Sequence, residues 1–425
     1  MSKRILVISL GVMFLSLVCP VAQSPTSAQS SKPTKVLRQL QEDQLKLQEE
    51  FDRDVGDGKA QLYDWESRAE LARKKAATEL GGFQIGDWKG QELLALYSLY
   101  MQTEMFAQSI EAGQAYLKTD SKSRFAEVVR NGLIRSLVQL GKVEEAQKLL
   151  DGLFQEIPEN FLQLASRVGL FKELTIAWRE RGRYEMAAKQ ARRGYDLQTN
   201  RGRLREPDQR ASDQMMRDLL SLAAEYIAAQ ERLGFKKEAE EFNKGFLKDA
   251  FEEQAILKPF YESELAAARL MGNPAPEIEA PRWISSEPVK IASFRGKVVL
   301  LDFWAMWCSQ CAGAFSQWQE FQKKFSGKGL EIIGVTKLFG RSDKEEGLTR
   351  EQELNALRSF KTAHQLNYPI AVGRMDDVTN EERYAIASLP TVVLIDRRGN
   401  VRHIKRGTGE YRNLEKQLEK LINEN

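Results

Sequence analysis

Residues 297–311 read Lys297-Val298-Val299-Leu300-Leu301-Asp302-Phe303-Trp304-Ala305-Met306-Trp307-Cys308-Ser309-Gln310-Cys311, and this stretch decides the fold of the C-terminal third. Lys297 to Phe303 is a short, nearly continuous apolar run, the pattern of a strand buried on both faces. It delivers the chain to a C-x-x-C at the start of a helix expected over Cys308 to Phe325. Cysteines at i and i+3 share one helix face, close enough to bond. A thiolate at a helix N-terminus meets unpaired N–H groups and the positive end of the dipole, which lowers its pKa. Asp302, six residues before Cys308 on an apolar strand, is a candidate proton acceptor for Cys311, because burial raises a carboxyl pKa toward neutrality.

Outward from this stretch, strands and helices alternate. Leu330 to Thr336, Val392 to Asp396 and Val401 to Lys405 read as strands. Glu351 to Gln365 and Tyr411 to Ile422 read as helices, and Arg398-Gly399-Asn400 joins the last two strands. Alternation of this kind predicts an α/β domain. Ser388-Leu389-Pro390-Thr391 stands just before a strand, and X-Pro bonds are the ones commonly found cis. Pro274 and Pro276 end the helical region, since proline lacks the amide hydrogen and holds its predecessor extended.

The WCxxC, the run Phe294 to Trp304, Pro274-Ala275-Pro276, Leu389-Pro390-Thr391 and Ile395-Asp396-Arg397-Arg398-Gly399 together resemble the TlpA/ResA-type thioredoxin-like family, exported bacterial thiol–disulfide oxidoreductases, over about 150 residues. The resemblance implies that Cys308 is the exposed nucleophile and Cys311 the buried resolving thiol. It implies that Pro390 is the cis proline beside the disulfide and that the Leu389 backbone pairs the substrate chain. Trp307 would flank the exposed sulfur. The sequence departs from the family pattern at Gln310, where proline is frequent, at Ala314, where glutamate is frequent, and at Asp302, where asparagine is frequent. The resemblance implies protein thiol or disulfide substrates, an upstream reductant, and no cofactor beyond the redox-active Cys308–Cys311 disulfide. A zinc site needs four ligands as a rule, and His364 and His403, the two histidines of the chain, stand in no metal-ligand spacing, so no metal is expected.

Residues 35 to about 270 read as almost wholly helical, so the chain as a whole is expected to be multi-domain: an all-α region followed by an α/β thioredoxin fold. Leu37, Leu40, Leu47 and Phe51 form a helical stripe that Gln44 interrupts. Gly141-Lys142-Val143-Glu144-Glu145-Ala146, Gly182-Arg183-Tyr184-Glu185-Met186-Ala187 and Gly234-Phe235-Lys236-Lys237-Glu238-Ala239 resemble one another, with Gln102 to Ala107 as a degenerate fourth copy. A turn glycine followed five residues later by alanine suits helix–turn–helix repeats. The array weakly resembles tetratricopeptide-type repeats, although its spacing is irregular and longer than their period of about 34 residues.

Lys3 and Arg4, the apolar run Ile5 to Val18 and the small residues up to Ala22 or Ala28 form a signal peptide. The apolar run is short for a membrane span of about 20 residues; membrane association is expected only if the signal stays uncleaved. Cys19 follows Val18, where a lipoprotein site needs a small residue. The expected organisation is signal peptide 1–28, helical region 29–272 with Gln23 to Lys35 as linker, and thioredoxin-like domain 273–425, in a periplasmic or other extracytoplasmic bacterial location. Lys plus Arg (63) nearly balances Asp plus Glu (60), and the Arg192 to Arg217 stretch is interleaved with acids and reads as a solvated face or loop, so no nucleic-acid partner is expected. Three functions fit: disulfide exchange on proteins, a thiol peroxidase of related fold, or a helical-repeat binding protein with an attached redox domain.

Overall fold

A computed structural model describes residues 32–56, 64–154, 160–197, 209–251, 257–375, 377–407 and 411–424. The signal-peptide expectation, Cys19 and most of the expected linker lie outside the described residues. The described chain forms two compact units that divide between Leu233 and Gly234.

The first unit is helical: α1 (Lys32–Gly56), α2 (Asp64–Leu80), α3 (Gly90–Gln102), α4 (Phe106–Asp120), α5 (Ala126–Gln139), α6 (Val143–Phe154), α7 (Phe161–Glu180), α8 (Tyr184–Asp196) and α9 (Gln209–Arg232). Helix α1 begins inside the expected linker, with Pro33 in its first turn, where a missing N–H breaks no intrahelical bond. Its stripe Leu37, Leu40 and Phe51 is buried, and the interrupting Gln44 is buried with it.

The turns between α5 and α6 and between α7 and α8 carry Gly141 and Gly182 at φ +71° and +69°. In each, an N–H reaches back six residues in count to a helix carbonyl: Lys142 to Leu137 at 2.8 Å and Arg183 to Trp178 at 3.0 Å. The α3–α4 turn has the same bond, Met105 to Tyr100 at 2.8 Å, with Glu104 at φ +59° in the glycine's place. Gly234 adopts φ +90° at the C-terminal end of α9. Five residues after each turn residue stands a small, buried side chain: Ser109, Ala146, Ala187 and Ala239. Alternate helices are tied by ion pairs, Arg135 to Glu173 at 3.0 Å and Arg167 to Glu127 at 3.1 Å between α5 and α7, and Lys172 to Asp218 at 2.5 Å between α7 and α9.

The second unit contains α10 (Lys236–Phe251), α11 (Lys258–Leu270), β1 (Arg282–Ile284), β2 (Val298–Phe303), α12 (Ser309–Ala312), α13 (Phe315–Phe325), β3 (Leu330–Lys337), α14 (Arg350–Ala363), β4 (Ile370–Gly373), α15 (Thr379–Arg383), β5 (Thr391–Ile395), β6 (Val401–Arg406) and α16 (Tyr411–Asn423). The sheet order is β1-β4-β3-β2-β5-β6. Strands β2, β3 and β4 are parallel, while β1, β5 and β6 run antiparallel to their neighbours. The edge strand β1 and the four-residue β4 were not among the strands expected from sequence.

Both sheet faces are covered, which is why every residue of β2 is buried. One face sets Val298, Leu300 and Trp304 against Trp318 and Phe321 of α13, Leu357 of α14 and Leu418 of α16. The other sets Val299, Leu301 and Phe303 against Tyr384, Ile278 and Met271. The compact unit starts at Gly234 rather than at the expected 273, because α11 docks on this second face. Its Glu264 takes a hydrogen bond from the Arg406 guanidinium at 2.5 Å, and Ser263 donates to the Ala385 carbonyl at 3.2 Å.

Candidate active site

Strand β2 ends in the middle of the sheet and hands the chain to Trp304-Ala305-Met306-Trp307, so the cysteines emerge at the carboxyl ends of the parallel strands. Cys308 and Cys311 form a disulfide with Cα atoms 5.2 Å apart. Cys308 is the N-cap of α12, and its sulfur accepts the Cys311 N–H at 3.2 Å. Cys308 keeps 7% of its surface, Cys311 1%. The helix expected over Cys308 to Phe325 is broken: α12 is a single turn, and the chain tightens at Gly313, where the Ala314 N–H bonds the Cys311 carbonyl at 3.0 Å, before α13 begins. Local N–H donation, rather than the dipole of a long helix, therefore acts on the Cys308 sulfur.

Asp302 is 1% exposed. Side chains alternate along a strand, so Asp302 shares the sheet face of Leu300 and Trp304, which pack in the cluster holding Cys308 and Cys311. Its neighbour across the parallel ladder is Gly334. A Cβ on Gly334 would lie 2.9 Å from the Trp304 indole nitrogen and 3.2 Å from the Tyr368 ring. The missing side chain thus leaves space that Trp304 and Tyr368 fill, and the Tyr368 hydroxyl faces the carboxyl. Burial pushes Asp302 up from 3.8 to about 7, against opposing pulls from the Trp318 indole and then the Tyr368 hydroxyl 3.5 Å away. Burial, and then the Asp302 charge, raise Tyr368 well above its usual value.

Trp304 itself is a core residue, stacked on Phe360 at 5.4 Å and edge-on to Phe315 at 5.3 Å. Trp307 is the opposite case, 37% exposed beside Cys308. The Leu389–Pro390 bond is cis. Leu389 packs partly buried at the edge of both sheet faces, and the Thr391 hydroxyl steadies the turn by donating to the Ser388 carbonyl at 2.7 Å. A small cavity of about 10 Å³ lies between Leu389, Phe339, Trp304 and Lys337.

Sequence reasoning missed the loop Leu338–Thr349, which reaches the site from the end of β3. Phe339 stands edge-on to Trp307 at 5.3 Å, and the Arg341 guanidinium lies over the Trp307 ring at 4.8 Å. Buried Glu353 in α14 holds this loop by accepting the Phe339 and Gly340 N–H groups, both at 2.8 Å. The readable trace of the arrangement was the capping box Thr349–Gln352 that starts α14. Among the described residues, no group of His, Cys, Asp or Glu has the arrangement of a metal site, and no helix is long and apolar enough to cross a membrane.

Residues 271–404 match the AhpC/TSA family. The chain is 29% identical over 166 residues to the thiol-disulfide oxidoreductase ResA of Geobacillus thermodenitrificans, covering 39% of this chain and 85% of that protein. It is 28% identical over 148 residues to the thioredoxin-like protein YneN of Bacillus subtilis, covering 35% of this chain and 78% of the relative. A solved structure of a putative thiol:disulfide interchange protein DsbE from Chlorobium tepidum aligns over 36% of this chain and 98% of its own, at 25% identity and a TM-score of 0.29. With the disulfide at the end of β2, the family match and the two sequence likenesses make residues 271–404 an AhpC/TSA thioredoxin-like domain of the thiol–disulfide oxidoreductase kind.

Proposed function

We propose that the chain is an exported thiol–disulfide oxidoreductase that reduces or isomerises disulfides of protein substrates. The observation that carries this reading is the asymmetry of the pair: Cys308, next to exposed Trp307, keeps 7% of its surface, whereas Cys311 keeps 1% in the cluster on one sheet face. In the reduced protein the Cys308 thiolate attacks a substrate disulfide, forming a mixed disulfide and releasing one substrate thiolate, which takes up a proton. Cys311, its proton taken by Asp302, then attacks the Cys308 sulfur. The second substrate thiolate leaves, and the Cys308–Cys311 disulfide re-forms. Two electrons have passed to the substrate. A dithiol partner must return them, because the other cysteine of the sequence is Cys19 and no second C-x-x-C is present. The cycle uses no cofactor and no metal. Leu389 and Pro390 border the substrate chain, Trp307 covers the attacking sulfur, and the helical region recruits a partner as stacked helix pairs do. Export rests on the Lys3 to Ala28 signal.

The deciding experiment mixes the pre-reduced chain with a protein disulfide and counts thiols. One substrate disulfide is expected to be reduced per Cys308–Cys311 pair oxidised. Cys311→Ser should accumulate a mixed disulfide, and Cys308→Ser should be inert; an active Cys308→Ser sinks the assignment. The AhpC/TSA match supports a second reading, a thiol peroxidase, in which Cys308 would be oxidised by peroxide to a sulfenic acid and resolved by Cys311. Met306-Trp307 before Cys308 in place of a Pro-Thr-x-x setting weighs against it. Peroxide consumption faster than disulfide reduction by the same sample would reverse the order of the two.

A further inference from the structure

The two segments that form the exchange face carry no charge. From Phe303 to Gln319 and from Ala385 to Ile395 the sequence contains no Asp, Glu, Lys, Arg or His. Charge reaches this face from the Lys337–Glu381 pair beside the small cavity and from the loop 338–349. Arg341 stacks its guanidinium on Trp307, the residue next to Cys308. Its place is built on both sides. Gly340, before it, is held by Glu353 and accepts the Leu348 N–H at 2.8 Å. Ser342, after it, closes a turn in which its hydroxyl accepts the Lys344 and Glu345 N–H groups at 3.1 and 3.0 Å.

The ion pair of Arg341 is with Glu346, at 3.5 Å, and that glutamate side chain is 81% exposed. A long pair between exposed groups contributes little and exchanges readily. A carboxylate carried in by a substrate can therefore replace Glu346, while the stack on Trp307 keeps the guanidinium in place. The loop's other charged groups, Asp343, Lys344 and Glu345, follow in the turn beyond Ser342, and it is Arg341 that stacks on Trp307.

We propose that Arg341 is a specificity-determining residue of the exchange reaction, favouring substrate disulfides flanked by carboxylates over those flanked by lysine or arginine. The inference rests on the exchange reading of the Cys308–Cys311 site. The neighbouring Lys337 is largely buried and paired with Glu381 at 3.1 Å, so with neutral segments on both sides of the sulfurs the guanidinium stacked on Trp307 is the exposed cation that biases the local potential, and such a potential acts on both encounter and residence of a charged partner.

The test uses two peptides with the same intramolecular disulfide, one flanked on both sides by glutamate, the other by lysine. The full chain is reduced with dithiothreitol and desalted, and the appearance of peptide thiols is followed at low salt. Each rate is divided by the rate at which dithiothreitol alone reduces the same peptide. Wild type should favour the glutamate peptide in the single-turnover rate constant at sub-saturating peptide by about two- to five-fold, the range an exposed ion pair supports, with the difference in the peptide concentration that half-saturates the rate. Arg341→Gln should bring the ratio to about one, and Arg341→Glu should invert it, an outcome that loss of fold cannot imitate. Salt at about 0.5 M should collapse the preference. Equal handling of the two peptides by wild type, or a preference that survives in Arg341→Gln and Arg341→Glu, overturns the proposal. If wild type reduces neither peptide, it is the exchange reading that fails.

Discussion

Replacing Asp302 with asparagine should stabilise the protein at alkaline pH and slow its chemistry. Burial lifts the Asp302 pKa from 3.8 to about 7. The native state therefore holds a proton between about pH 4 and 7 that the unfolded state has lost, and stability falls as pH rises through that window. The full cost is present above pH 7. At 1.36 kcal/mol per pKa unit the shift corresponds to an upper bound of about 4 kcal/mol. Asparagine has nearly the same shape and no charge to bury, so Asp302→Asn should match wild type near pH 4 and exceed it at pH 8. For a unit of this size that is a rise of roughly 10 °C in melting temperature. Scanning calorimetry on the oxidised full chain at pH 4.5 and 8 reads the difference. In the same variant the conversion of a trapped mixed disulfide to products should slow, because Cys311 has lost its proton acceptor. An equal Tm difference at both pH values, or a variant less stable at pH 8, would refute the account of Asp302 as a buried carboxyl charged at a cost.

After reduction, Cys308 should be alkylated by iodoacetamide well before Cys311, given 7% against 1% exposure; time-resolved mass spectrometry showing equal labelling would contradict the assigned roles. Gly194→Ala in α8 should destabilise the helical unit by about 1–3 kcal/mol through overpacking, because the new Cβ would stand 2.5 Å from Phe171 Cβ and 2.9 Å from Leu222 Cδ1. A urea midpoint unchanged from wild type would show that α7 and α9 can yield. A chain starting at Pro274 should melt below one starting at Gly234, since it loses buried Met271 and the Glu264–Arg406 pair. The methionine alone contributes about 1.5–3 kcal/mol, and coincident melting curves would show that α11 is dispensable.

What the sequence made legible were features whose causes are local. An unbroken apolar run such as Val298 to Phe303 has one stable home, a strand covered on both faces, and the C-x-x-C after it fixes which end of the sheet carries the chemistry. The glycines at 141, 182 and 234 could be read as turns because a positive φ favours glycine. Glu104 makes a turn with the same backbone bond without that signal, so the degenerate copy read over Gln102 to Ala107 stands two residues out of register and the small residue five places after the turn is Ser109. Distant contacts were illegible. Strand β1 is three residues long and is a strand because Trp283 pairs with Ala371. Helix α11 belongs with the sheet because Glu264 meets Arg406, 142 residues away. Arg341 carries no signal in the sequence; Glu353 and Phe339 hold the loop that sets it over Trp307.

The neutrality of the exchange face ties these features to the chemistry. A thiol buried as deeply as Cys311 cannot release its proton directly to bulk water. The segments around it, Phe303 to Gln319 and Ala385 to Ile395, supply no acidic or basic side chain to receive it. In the proposed mechanism Asp302, which alternation along β2 places on the same sheet face and which burial raises to about 7, takes that role. Arg341 works under different physics: its exposed charge is screened by salt, whereas that of Asp302 is not. The two charges should therefore separate experimentally, with salt altering which substrate is chosen and pH altering how fast the mixed disulfide resolves.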